Sequence, residues 1–342
     1  MSSVSENLDI YKFNKTHIKT LVVKSTALKK NPLQDPFVRA NPVVCPKLKF
    51  NKSPVVFVLS GFSGNGPKTF APKTFAKNAV DVLGEAIDAG DAPLAHYVFV
   101  DAMTYWGGSQ FIDSAAQGRY AQYVLKDLVK AVHENFDVQD DSKYWCITGG
   151  SSGGYGALNL ATSAPDTFGL AAAIAPDSYF ELSLLPELLA AKPFVDNMGG
   201  IGELKKQLKS RKLLKNRNFH QLINAVAMVM CYVADKNGKF DWPFAEDGKL
   251  ILSRWKKWQK HDPVHFIKRR HKNVEKLYGV YLDVGTQDQF YLQYGSRQLR
   301  DAFKGLGVKI KYSEFDGNHF DIGDRRIEVW RWLKQKWSRK NV

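Results

Sequence analysis

A chain of 342 residues can bury a sizeable core, as one large domain or as two ordinary ones. Its composition, 44% hydrophobic, 13% aromatic and 24% charged, excludes a disordered or fibrous protein. The net charge of +15 sits in stretches where basic and apolar residues alternate at helical spacing, with no zinc-finger, helix-turn-helix or RNP-like signature, so nucleic acid is not an expected partner.

The N-terminus, "MSSVSENLDIYKFNK", has no apolar h-region, and nothing there reads as a secretory signal. Strands are predicted at 17–24, 40–45, 55–60, 96–101, 144–149, 170–175, 277–284 and 308–315. The middle ones are continuous apolar runs rich in β-branched residues, the pattern of strands covered on both faces. Helical patterns fall between them at 73–88, 115–136, 154–164, 292–304 and 323–337. This alternation predicts an α/β fold with a mostly parallel sheet, its first two strands paired antiparallel at one edge. Residues 185–262 break the rhythm: helix-rich, basic and set between two core strands, they read as a cap inserted into a single domain, 1–342. The longest apolar run, 223–234, suits a buried helix and is too short to span a bilayer. Cys45, Cys146 and Cys231 show no C-x-x-C spacing and read as reduced core thiols, which points to the cytoplasm and to neither a disulfide framework nor a metal site.

The sharpest motif lies where a buried strand, "YWCITGG", meets the helical pattern "GYGALNLATSA". Between them, Gly150-Ser151-Ser152-Gly153-Gly154 spells G-x-S-x-G in strand-turn-helix context, a nucleophile elbow. Glycines allow the sharp turn and hold a serine at its tip. The register that leaves Gly153 and Gly154 inside the turn puts Ser152 there; Gly149-Gly150-Ser151-Ser152-Gly153 also fits, which makes Ser151 the competitor. A serine needs a base to take its proton and an acid to orient that base, and on this elbow they follow in the order acid, then histidine. Asp288, just past the end of the 277–284 strand, is placed for the acid, whereas Asp283 lies within the strand. His319, alone of eight histidines, follows the last strand in a glycine-containing loop. Oxyanion donors are expected from the Gly153 N–H and, in "VLSGFSGNG", from the Phe62 N–H, with Gly61 permitting the approach. Gly61, Ser151 and Trp242 are candidates for contact with substrate, and the cap residues Phe194, Met228, Met230 and Phe244 for walls of a pocket. The basic run 205–217, with Lys205, Lys206, Lys209 and Arg211, would face an acidic substrate if it is more than a solvated helix face.

At these residues the chain resembles the esterase D, antigen 85 and enterochelin-esterase-like branch of the α/β-hydrolases. "GSSGGYGAL" is similar to its elbow, "PVVFVLSGF" to its oxyanion strand, "VGTQDQF" to its acid loop and "FDGNHFDIG" to its histidine loop. The likeness covers most of the chain and is weakest in 185–275. It implies a serine esterase without cofactor, acting on a small-molecule, sugar or siderophore-type ester or a thioester. The alternatives are an acyltransferase with the same residues or a binding protein on the hydrolase fold.

Overall fold

The computed structural model describes residues 2–6, 11–47, 52–210 and 219–338. The strands are β1 (Ser2–Glu6), β2 (Thr16–Lys24), β3 (Val38–Pro46), β4 (Val55–Leu59), β5 (His96–Phe99), β6 (Asp113–Ser114), β7 (Gly118–Arg119), β8 (Trp145–Gly150), β9 (Leu170–Ile174), β10 (Gly279–Gly285) and β11 (Ile310–Phe315). Nine of them form one sheet in the order β1-β2-β3-β5-β4-β8-β9-β10-β11, while β6 and β7 make a separate hairpin. From β5 to β11 every neighbour is parallel, and β1, β2 and β3 add an antiparallel edge. The α/β architecture is as expected, with one strand more than the hydropathy pattern offers. That strand, "SSVSE", is polar and pairs on one side only, so no run of buried residues announces it.

Side chains of the central strands alternate between two cores. Val55, Phe57 and Leu59 of β4 pack on one face with the helical stretch 120–135 and the helix Ser152–Ser163. Val56 and Val58 pack on the other with the helices Ala79–Ala89 and Arg326–Ser338. The predicted helix at 73–88 begins only at Ala79. Asn78 caps it, accepting hydrogen bonds from the Val80 and Asp81 amides while Asp81 accepts from the Asn78 amide, and Pro72 precedes the cap.

Between β9 and β10 the described chain folds mainly as helices. Leu185–Asn197 packs on Phe219–Tyr232, and Asn224 Nδ2 donates to Glu187 Oε2 at 2.6 Å across the pair. The Phe219–Tyr232 helix is anchored from below by the β6–β7 hairpin: Ser114 Oγ donates to the Met230 carbonyl at 2.7 Å and Gln117 Nε2 to that of Ala227 at 3.1 Å. Among the described residues no helix is long and apolar enough to cross a membrane.

Candidate active site

The turn after β8 is as tight as its glycines imply. A Cβ on Gly149 would lie 2.5 Å from the Gly153 carbonyl carbon, and one on Gly153 would lie 2.5 Å from the Leu59 carbonyl oxygen. Strand, helix and β4 can therefore meet only if both residues are glycine. Between them Ser151 takes φ 56° and ψ −127°, a positive-φ conformation that a non-glycine residue adopts only when its surroundings enforce it. Its amide donates to the Ile174 carbonyl at 2.9 Å, which closes the turn onto β9.

His319 Nε2 stands 3.0 Å from Ser151 Oγ, and His319 Nδ1 stands 2.7 Å from Asp288 Oδ2. Asp288 is buried; its second oxygen accepts from the Phe290 amide at 2.9 Å. Gln289 Oε1 accepts from the His319 amide at 2.9 Å, so the acid loop also holds the histidine loop in place.

This geometry corrects the expected register of the elbow. Ser152 does not face His319. As the first residue of the helix it is buried, donating to Asp177 Oδ2 at 2.9 Å and accepting from Gln110 Nε2 at 3.0 Å. Successive side chains at a helix start diverge by about 100°, so of two adjacent serines only one can meet the imidazole. The residue after Ser151 is accordingly Ser152 and not Gly153, the residue from which an oxyanion N–H is expected; Gly153 packs closely on β4. Gly61 comes near enough that its Cβ would sit 3.6 Å from Ser151 Cβ, and Phe62 lines the same space.

Asp177, missed from the sequence, lies just past the end of β9 beneath the two serines. Burial raises its carboxyl above the ordinary range, partly offset by hydrogen bonds from Ser152, Gln110 and Ser151. A signal was available in "IAPDSYF", since loops at the C-terminal ends of parallel strands build the sites of open α/β sheets. Gln110 had none.

Above Ser151 and His319 opens a cavity of about 570 Å³. Phe62, Phe180, Leu184, Met228, Tyr232 and Phe290 make its walls largely apolar, and Glu187 with Asn224 is set among them. Burial raises the Glu187 carboxyl to about 7. Of the cap residues expected to wall a pocket, Met228 does so. Trp242 does not: it packs on Phe240 at 4.9 Å and Phe244 at 5.8 Å, away from the cavity. Lys205 and Lys206 of the basic run are not part of the cavity's lining. Lys206 pairs with Glu203 at 2.9 Å and Lys205 lies over the Tyr105 ring, while Arg211 falls outside the described residues.

Glu181, Asp262 and His265 offer ligand atoms within 4.8 Å of one another. Asp262 already accepts from the Tyr179, Phe180 and Val264 amides and Glu181 from Trp255 and Gln259, which makes the group a clasp between the cap helices and the loop after β9.

Residues 44–331 match the family described as "Putative esterase". An S-formylglutathione hydrolase of Arabidopsis thaliana is 34% identical over 134 residues, 37% of this chain and 46% of that protein, so the match spans about half the relative's length. Among solved structures, a ferulic acid esterase superposes with a TM-score of 0.60 at 17% identity, covering 95% of this chain and all of the other. The S-formylglutathione hydrolase of Agrobacterium tumefaciens does so with a TM-score of 0.56 at 16% identity, covering 97% of this chain and 98% of that one. These structures share the fold.

Proposed function

The chain belongs to that esterase family, and from this premise we propose that it is a serine hydrolase cleaving a carboxylic ester or thioester, with Ser151 as nucleophile. The observation that carries the proposal is the line from Ser151 Oγ through His319 to Asp288, with steps of 3.0 and 2.7 Å. Asp288 fixes the imidazole with Nδ1–H toward the carboxylate, leaving Nε2 free to accept the Ser151 proton as Oγ attacks the substrate carbonyl. The oxyanion that forms is met by the backbone N–H groups of Ser152, at the start of its helix, and of Phe62, on the loop after β4. His319 then protonates the departing oxygen or sulfur, and water releases the acyl group from Ser151 by the same route. Both the S-formylglutathione hydrolase and ferulic acid esterase relatives are consistent with an acyl transfer to water.

Alanine variants of the adjacent serines test the reading. Ser151→Ala should lower kcat for a nitrophenyl ester by on the order of 10³-fold or more and abolish labelling by a fluorophosphonate. Ser152→Ala should remain labelled, with activity reduced through the loss of its contact to Asp177. Labelling lost in Ser152→Ala and kept in Ser151→Ala would overturn the assignment.

A further inference from the structure

If Ser151 and His319 act as proposed, the side on which the leaving group departs is set. His319 Nε2 delivers the proton, so the leaving oxygen or sulfur lies on its side of Ser151. The wall there is the chain that follows His319: Phe320, Ile322, Gly323 and Arg326. Arg326 also lines a second cavity, of about 290 Å³, across the Gly61–Phe62 loop. The described lining of that cavity holds Lys68, Lys73 and Arg326 and no carboxylate. The Ala79–Ala89 helix turns its N-terminus toward the same space, adding the positive end of its dipole, though Asn78 and Asp81 already cap it.

Arg326 stands apart from the arginines around it. Arg325 pairs with Asp283 at 2.8 Å, Arg297 with Glu314 at 2.8 Å, and Arg331 with Asp91 and Glu328. Among the described residues no carboxylate lies within ion-pair distance of Arg326, which is partly exposed where the two cavities adjoin. A partly exposed guanidinium with no carboxylate partner offers a planar fork suited to one.

We infer that Arg326, supported by Lys68 and Lys73, is the recognition site for a carboxylate carried on the leaving alcohol or thiol of the substrate. The inference rests on the esterase reading and adds the chemical class of the leaving group. It also separates the two ends of the substrate: an apolar cavity with Glu187 on the cap side, cations on the His319 side.

The test compares two acetate esters with the same acyl group, nitrophenyl acetate and its ring-carboxylated counterpart, each corrected for its rate of alkaline hydrolysis. The readout is the ratio of kcat/KM for the carboxylated over the neutral ester. Arg326→Gln should lower that ratio about tenfold, the scale of one lost charge-assisted hydrogen bond. Lys73→Glu, at an exposed position, should lower it about threefold at low salt and less at high salt, so the inference stays testable if Arg326→Gln folds poorly. Lys206→Glu, outside both cavities, should leave it unchanged. Turnover that depends on Ser151 with a ratio unmoved by Arg326→Gln and Lys73→Glu overturns the leaving-group assignment alone. Absence of any Ser151-dependent turnover of either ester overturns the esterase reading with it.

Discussion

Two carboxyls, one partly and one almost wholly buried, lie near Ser151 without belonging to the Ser151–His319–Asp288 line, and their surroundings give them different roles. Asp177 takes hydrogen bonds from Ser152 and Gln110 and so fixes the floor beneath Ser151. Glu187 lines the cavity itself, tied to Asn224, and burial raises it from 4.5 to about 7. A carboxyl raised in the folded state is protonated there more readily than in the unfolded chain. Its contribution to stability is therefore complete below pH 4.5 and is lost as the pH rises toward 7. Glu187→Gln removes that dependence, so its stability relative to the parent should improve by on the order of 3 kcal/mol between pH 4.5 and pH 8. Urea unfolding of both proteins at the two pH values measures it. A difference that does not change with pH would mean that Glu187 titrates as an ordinary surface acid.

At the level of elements, the site depends on how closely β8, the helix Ser152–Ser163 and β4 can approach. The glycines that matter are Gly149 and Gly153, two before and two after Ser151, because each faces backbone at 2.5 Å. Gly150, by contrast, would direct a methyl toward the tip of the Ile322 side chain at 3.0 Å, which can rotate away. Gly149→Ala should thus cost about 2–4 kcal/mol and suppress fluorophosphonate labelling, whereas Gly150→Ala should cost about 1 kcal/mol or less. Thermal melts with parallel labelling distinguish them. Equal losses in the two variants would show that the turn is not held by the Gly149–Gly153 contact.

Over the whole molecule, two acids five positions apart illustrate how one strand end divides structure from chemistry. Asp283, inside β10, is wholly buried and receives Arg325 Nε at 2.8 Å, Ser313 Oγ at 2.8 Å and Tyr281 OH at 3.1 Å. It ties β10 to β11 and to the segment leading into the last helix. Asp288, past the strand, reaches His319. Asp283→Asn should lower the unfolding free energy by about 2–3 kcal/mol while the folded fraction still takes up the fluorophosphonate. Asp288→Asn should keep the melting temperature within a few degrees and lower kcat by on the order of 10³-fold or more. Loss of labelling in folded Asp283→Asn would break the division.

The α/β class, the parallel centre of the sheet, the elbow and the placing of Asp288 and His319 could all be read from the chain alone. Each is written in local signals: apolar strands of distinctive composition, glycines at a turn, an acid and a histidine just beyond strand ends. Which of two adjacent serines stands at the tip could not be read, because Gly149/Gly153 and Gly150/Gly154 both satisfy the spacing. Tertiary structure decides it through where β8 stops and what a Cβ would strike. The same holds for Glu187 and Arg326, whose surroundings come from segments distant in sequence. It also holds for Trp242, an aromatic residue in the cap that turned out to pack on its neighbours. Periodicity tells a residue which face of its own element it occupies; only the docking of elements tells it what that face meets.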